Sequence, residues 1–401
     1  MNETGRGGPL QGVRVVELTK VWAGPYVGKL LAFLGAEVIR VESEGSLDVT
    51  RTYGVADINN APGFQAVNPQ KLSVQIDMKT TAGVKLILDL LGHSDIVVEN
   101  LRPGAVKRLG LGYEQVRAAK PDIVYVSMGM YGSEGPLSYQ TGYAPCFAAL
   151  GGLSSLVGYD GDAPTGMNIR YADSTFGTMA AYAALVALLH RRRTGVGQFV
   201  DVSAVECMSS MIPDAIMDYA LNGSIAACDG NKHAEMAPHG AFPCANDEWI
   251  SIAVASDQQF CALAEAMGQP GLADHPSFSG LTARKANADA LDTLLAQLTC
   301  QQDAAELAVR LQARGVAASK SLSSLDLVSD PHLWSRGFFT QVTDRAKLAK
   351  TILGPAWKMS RPAVISDAAP HLGEHNEYVL GSILGLSAPE RQALADAGIT
   401  R

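Results

Sequence analysis

The sequence has no G-x-G-x-x-G after its first strand-like segment and no Walker lysine motif. Only Ala23-Gly24-Pro25 stands where a dinucleotide turn would need several glycines to approach a pyrophosphate, which argues against a bound NAD there. It also lacks the G-x-S-x-G elbow of a serine hydrolase. There are six cysteines and no C-x-x-C pair, and the cysteines do not cluster as metal ligands would. They read as reduced thiols of an intracellular, cytoplasmic protein. His371 and His375 have an i, i+4 spacing, but Pro370 and Gly373 interrupt the segment, so surface histidines are expected there and no metal. No apolar run reaches membrane length. The longest, Met179 to Leu189, is about half a span and leads into Arg191-Arg192-Arg193, so it reads as a buried helix with a charged end. Residues 1–9 are polar and glycine-rich, unlike a secretory signal. Basic side chains are few: 32 Lys and Arg against 40 Asp and Glu leave a net charge of −8. That balance disfavours nucleic acid as a partner. Small anionic ligands need only a local basic pocket.

What is present is a globular composition, 47% apolar and 18% charged, over 401 residues, enough for two or three domains. Val13–Leu18 is short and β-rich, Pro25 is suited to a helix start, and Tyr26–Leu34 has helical spacing with Gly35 at a C-cap position. Ala36–Val41 is a second strand. The pattern is a βαβ unit, which implies parallel strands. Helix 79–91, strand 95–99, helix 104–109 and strand 122–128 repeat it. The expected fold is therefore α/β, a Rossmann-like open parallel sheet. The stretch 129–166 is loop-rich. A long alanine-rich helix is expected over 174–193, a strand over 198–203 and one helix over 204–221. Residues 223–330 read as a smaller α+β domain with helices near 256–267, 283–299 and 301–314. The boundaries that follow are 1–222, 223–330 and a C-terminal part, 331–401.

Three clusters carry possible chemistry. Tyr171-Ala172-Asp173-Ser174 opens the long helix after a glycine-rich loop. Asp173 is either an ordinary N-cap or a carboxylate held at a helix N-terminus for use as a nucleophile. Glu99-Asn100-Leu101-Arg102-Pro103-Gly104, followed by Lys107-Arg108, lies at a strand end, where amides and guanidinium groups could hold phosphate. Its alternative is a basic loop facing solvent. Asn68-Pro69-Gln70-Lys71-Leu72-Ser73 is the third, with Lys71 as its charge.

Taken together these stretches resemble the class III CoA-transferases, of the formyl-CoA and carnitine type. The resemblance rests on Leu10–Leu18, Ala23-Gly24-Pro25, Leu34–Glu42, Lys71–Asp77, Val98–Gly104 with Arg108-Leu109-Gly110, Ala172-Asp173-Ser174, Arg192–Gln198 and Leu372–Asn376, in the family's order over almost the whole chain. It implies an interlocked dimer, whose large domain is built from both termini and whose small domain comes from the middle. It implies Asp173 as the nucleophile, working through an acyl-aspartyl anhydride and an aspartyl-CoA thioester. Coenzyme A thioester is then a substrate, and no cofactor is permanently bound. Val21 and Trp22 are implied near the thioester, and Lys71, Leu72, Asn100, Leu101, Arg102 and Arg108 at CoA-contacting positions. The partners would be an acyl-CoA, such as succinyl-CoA, and a free carboxylic acid, with a second copy or a homologous subunit completing the oligomer.

Trp22 replaces a glutamine often found in the family. With Met128, Met130 and Met167 in the expected site region, it points to a roomy acyl pocket and a bulky or aromatic acceptor such as benzylsuccinate; core packing is the alternative for these side chains. Two rival functions share the fold. An α-methylacyl-CoA racemase would need a base where Tyr143 stands, a poor match for a phenol. A non-catalytic partner subunit would not be expected to retain Asp173.

Overall fold

Six short segments rich in valine and isoleucine pair side by side as parallel strands. They are β1 (Arg14–Leu18), β2 (Glu37–Glu42), β3 (Leu72–Gln75), β4 (Ile96–Glu99), β5 (Val124–Gly129) and β6 (Gln198–Ser203). The computed structural model describes residues 6–166 and 170–401. The spatial order is β3-β2-β1-β4-β5-β6, and every neighbouring pair is parallel. This is the open Rossmann order. Val15 pairs with Val38 and Ile96 on one face, and Val16 with Ile39 and Val97 on the other, so these central rows are aliphatic on both faces. The chain winds outward from β1 to β3, returns, and winds the other way from β4 to β6. The carboxyl ends of β1 and β4 therefore flank the switch point where ligands bind in such sheets.

The helices of this part are α1 (Ala23–Phe33), α2 (Pro62–Val67), α3 (Thr81–Gly92), α4 (Ala105–Arg108), α5 (Tyr113–Ala119), α6 (Ala144–Leu150), α7 (Tyr171–Thr194), α8 (Ala204–Ser209) and α9 (Pro213–Asn222). One face of the sheet is covered by α1, α6, α7 and α8, the other by α3, α5 and a π-helical turn, Glu377–Ile383. Several elements differ from the sequence expectation. The single helix expected over 204–221 is broken into α8 and α9 because Pro213 lacks an amide donor and starts a new helix instead. The loop-rich stretch after β5 contains α6. β3 was not expected as a strand, since its four residues are too few to display a period. A hairpin, β10 (Phe339–Thr343) with β11 (Ala349–Leu353), lies in the C-terminal part, where no strand was expected; these two strands follow β7–β9 of the second unit in the chain.

The chain divides into two compact units. One holds the described residues within 1–154, 166–226 and 331–401; the other holds 155–165 and 227–330. The smaller unit thus also takes in 155–165, which the sequence boundaries left in the first part. It builds an antiparallel sheet from β7 (His239–Pro243), β8 (Trp249–Ala253) and β9 (Ala317–Lys320). Helices Asp257–Ala266, Ala288–Thr299 and Ala304–Gln312 pack on it around Phe242, Ile250, Phe260, Leu291 and Leu307.

Helix α7 fixes the position of Asp173. It is long and apolar enough to cross a membrane by length and composition, yet half of that window is buried inside the protein. Its inner face is alanine (Ala180, Ala181, Ala184, Ala187), while Met179, Tyr182, Val186 and Leu189 are exposed on the other side. The expectation of a buried helix therefore holds for one face only. Small residues let α7 lie close to α1. A methyl group on Gly177 would sit 2.7 Å from the Ala23 carbonyl oxygen. Gly177→Ala is expected to push the two helices apart and destabilise the protein by about 1–3 kcal/mol. Urea denaturation checks this, and an unchanged midpoint and slope would show that the contact is looser than the structure has it.

Candidate active site

The crevice at the switch point begins with an unusual backbone. Val21, immediately after β1, has φ 66°, a conformation a β-branched residue rarely adopts. It is held there from outside. Its amide donates to the Asp48 carboxylate at 3.2 and 3.1 Å. Asp48 in turn pairs with Arg40 and caps the turn at Thr50, whose amide and hydroxyl donate to it at 2.9 and 2.8 Å. Strain maintained by surrounding structure is typical of functional sites.

Behind this turn lies a charge network with no side-chain exposure. Arg40 reaches Glu42 at 3.1 Å and Glu17 at 3.6 Å, Arg51 reaches Glu42 at 2.9 Å, and Lys71 reaches Glu17 at 2.9 Å. Three cations oppose the three carboxylates of Glu17, Glu42 and Asp48, so the cluster is neutral. The guanidinium groups hold the Glu42 carboxyl at about 2 despite its burial. Burial lowers the Lys71 ammonium and Glu17 offsets part of that.

The loop after β4 is clamped to the loop after β1. The Asn100 side chain accepts from the Lys20 amide at 2.8 Å and donates to the Lys20 carbonyl at 2.9 Å. Only glycine fits beneath this clamp: a methyl on Gly24 would lie 2.7 Å from the Asn100 side-chain carbon. Glu99, buried at the end of β4, accepts from the Leu101 amide at 3.0 Å and from the Ser127 hydroxyl, and burial raises its pKa.

Trp22 meets the start of α7, next to Asp173. The Trp22 indole N–H donates to the Ser174 hydroxyl at 3.3 Å, and the Arg170 guanidinium lies 5.2 Å from the Trp22 ring centre. Asp173 is 8% exposed. Among the described residues no donor hydrogen-bonds its carboxylate. Burial consequently pushes its pKa up to about 6, with Arg170 opposing the rise. Asp173 is not the N-cap expected from the sequence. Arg170 holds that position, and Asp173 is the third residue of α7, within the first turn. There the unpaired amides and the helix dipole favour an anion. The arrangement provides a carboxylate with little hydration, beside an aromatic wall, at the start of two helices. Such a group can attack an acyl carbon.

A family model described as CoA-transferase family III matches residues 10–376. The chain belongs to CoA-transferase family III. It is 35% identical over 382 residues to succinyl-CoA–D-citramalate CoA-transferase of Chloroflexus aurantiacus, a match covering 94% of this chain and 95% of that one. It is 29% identical over 383 residues to succinate–glutarate CoA-transferase of Agrobacterium fabrum, covering 94% and 96%. The crystal structure of a CAIB/BAIF family protein from Brucella suis superposes with a TM-score of 0.88 at 32% identity, covering 94% of this chain and all of that one. The chain is an enzyme of the transferase class, and the resemblance read from its motifs is correct.

The residues named from the CoA-transferase resemblance fall into three groups. Val21, Trp22, Asn100 and Asp173 gather at the crevice. Leu101 and Arg102 line a cavity of about 660 Å³ at the carboxyl ends of β4 and β5, together with Lys107, Ser127 and Tyr139. Arg108 is exposed on α4, and its guanidinium donates to the Pro103 carbonyl at 3.5 Å. Lys71 and Leu72 depart from expectation. The Lys71 ammonium is buried against Glu17, the Pro25 carbonyl at 2.6 Å and Asn68 at 3.0 Å, leaving it no proton for a ligand. Leu72 faces the core beside Ile39. Met128 and Met130 are likewise core side chains, so packing explains them; Met167 lies outside the described residues. Tyr143 is the N-cap of α6 with its ring exposed.

Sequence reasoning missed Asp48, Arg51 and Arg170. A signal for the network was present: Glu17, Arg40 and Glu42 interrupt strands that are otherwise aliphatic, and a charge buried in a parallel sheet requires partners.

Two outcomes follow. Arg40→Met strands the Glu17, Glu42 and Asp48 carboxylates without their shared cation, and is expected to lower unfolding stability by about 3–5 kcal/mol. A loss below about 1 kcal/mol in chemical denaturation would remove the network from its structural role. Asp173 acts in the opposite sense. Between its usual range and about 6, the folded chain keeps a proton that the unfolded chain has released. Stability therefore falls as pH rises through that window, and the penalty is complete at neutral pH. Asp173→Asn is expected to stabilise the protein at pH 7 by about 2–3 kcal/mol, a gain that shrinks as pH falls toward 4. Thermal melts across that range check it; an equal gain at every pH would show that burial does not raise this carboxyl.

Proposed function

We propose that this CoA-transferase moves CoA from succinyl-CoA to a small dicarboxylic acid, with Asp173 as the covalent carrier. The observation that carries the reading is the buried Asp173 carboxylate, without hydrogen-bond partners among the described residues, beside Trp22 at the sheet's switch point. The relatives support the substrate class, since their names specify succinyl or succinate together with D-citramalate or glutarate.

A carboxylate oxygen of Asp173 attacks the thioester carbonyl carbon, and the carbon–sulfur bond breaks. This gives an acyl-aspartyl anhydride and CoA thiolate. The thiolate attacks the aspartyl carbonyl, releases the donor acid as its carboxylate and leaves an aspartyl-CoA thioester. The acceptor carboxylate repeats the sequence in reverse, so no net proton is consumed. Burial serves a second purpose, because water would hydrolyse the anhydride. Among the described residues only Trp22 supports a bulky acceptor such as benzylsuccinate, since Met128 and Met130 belong to the core and Met167 lies outside those residues. The small dicarboxylates are therefore expected to be the better acceptors. We further infer a dimer. The exposed apolar faces of α7 (Met179, Tyr182, Val186, Leu189) and α9 (Ile216, Met217, Tyr219, Leu221) support it.

The test is a trapping experiment. The protein is mixed with succinyl-CoA and then hydroxylamine, digested and read by mass spectrometry. A hydroxamate on Asp173 is expected, dependent on acyl-CoA. Asp173→Asn should show none and lose turnover. Turnover retained in that variant would overturn the nucleophile assignment.

A further inference from the structure

Among the described residues, every cation around the crevice but one is already engaged or sits on the β4 side. The ammonium of Lys20 is taken by the Ser46 carbonyl, the Ser46 hydroxyl at 2.9 Å and the Leu47 carbonyl at 2.9 Å. Arg40, Arg51 and Lys71 are fixed in the buried network. Arg102 and Arg108 lie in and after the loop that follows β4. Arg170 differs. It is exposed, and among the described residues its guanidinium has no carboxylate or carbonyl partner. It is nevertheless oriented, since it lies 5.2 Å from the centre of the Trp22 ring. A guanidinium held on an aromatic face keeps its N–H edges available for a bidentate carboxylate. It stands three residues before Asp173, at the cap of the same helix.

We propose that Arg170 selects for dicarboxylic substrates by binding the carboxylate that does not react. The inference rests on the reading of Asp173 as the nucleophile. In succinyl-CoA a short methylene spacer separates the carbonyl under attack from a free carboxylate, which has to lie near Asp173 when the bond forms. Two anions then crowd one dry site, and Arg170 is the cation free to offset them. The same argument covers both half-reactions. Donor acyl group and acceptor acid occupy the one pocket in turn, so a single arginine would meet the spare carboxylate of each. It also accounts for an arginine at an N-cap, where its charge opposes the helix dipole and a Ser, Thr or Asp would be the stabilising choice.

The test compares succinyl-CoA with butyryl-CoA, which has a methyl group in place of the distal carboxylate. Rates of hydroxamate formation on Asp173 are measured for the wild type, Arg170→Ala and Arg170→Lys, with no acceptor present. In Arg170→Ala the preference for succinyl over butyryl, as a ratio of kcat/KM values, should fall by about 10- to 100-fold, the range expected for one charged hydrogen-bonded contact. Arg170→Lys should recover part of it, because a lysine restores the charge without the fork. A ratio that moves less than twofold, including the case in which both donors slow equally, overturns the assignment to Arg170 and leaves Asp173 standing. Absence of a hydroxamate on wild-type Asp173 with either donor overturns the nucleophile reading and this inference with it.

Discussion

The structure around the crevice depends on one buried contact, the pairing of Asp48 with Arg40. Arg40 belongs to β2 and Asp48 to the turn that follows, so the pair fixes that turn against the sheet. The remaining acceptor capacity of Asp48 holds the Val21 amide, and with it the left-handed bend that ends β1. A buried ion pair is weak evidence for stability in itself, since desolvation offsets much of the attraction. Its value here is geometric. Aliphatic side chains of equal volume could fill the space, but none could accept an amide from a strained turn and donate to a carboxylate at once. The network converts charge into position, and that position is handed on to Trp22.

From Trp22 the constraint passes to the second helix. Its indole N–H meets Ser174, the neighbour of Asp173, while Gly177 lets α7 approach the first turn of α1. On the other flank Asn100 ties the loop after β4 to the backbone of Lys20. The three loops around the switch point are therefore linked through a side-chain amide, an indole and carboxylates. This explains how a Rossmann order can persist without its glycine fingerprint. The turn after β1 is shaped by an aspartate from a neighbouring loop.

Much of this was legible before any coordinates. The alternation of short aliphatic strands with helices was enough for the parallel sheet, and the motifs around Asp173 and Asn100 were enough for the family. What escaped did so for physical reasons. β3 is too short to show a period, and Pro213 divides a helix whose apolar spacing runs straight through it. Lys71 was read as a CoA-contacting charge because a sequence does not reveal which cations have buried carboxylates waiting across the sheet. For Met128 and Met130 both readings were open, and core packing is the one the fold bears out. Arg170 was passed over because only the fold sets it against Trp22.

The condition of Asp173 follows from competing demands. A carboxylate that keeps its hydration or accepts several hydrogen bonds is stable, ionised and a weak nucleophile. One that is wholly dry holds its proton and cannot attack at neutral pH. Burial to the degree seen here, opposed by Arg170, leaves the group ionised for the most part at neutral pH yet short of the contacts that would quiet it. The fold carries that instability because the buried network and the close packing of α1 on α7 do not depend on Asp173 for any of their contacts. Destabilisation is thereby confined to one side chain, which is the usual relation between a strained site and the framework that holds it.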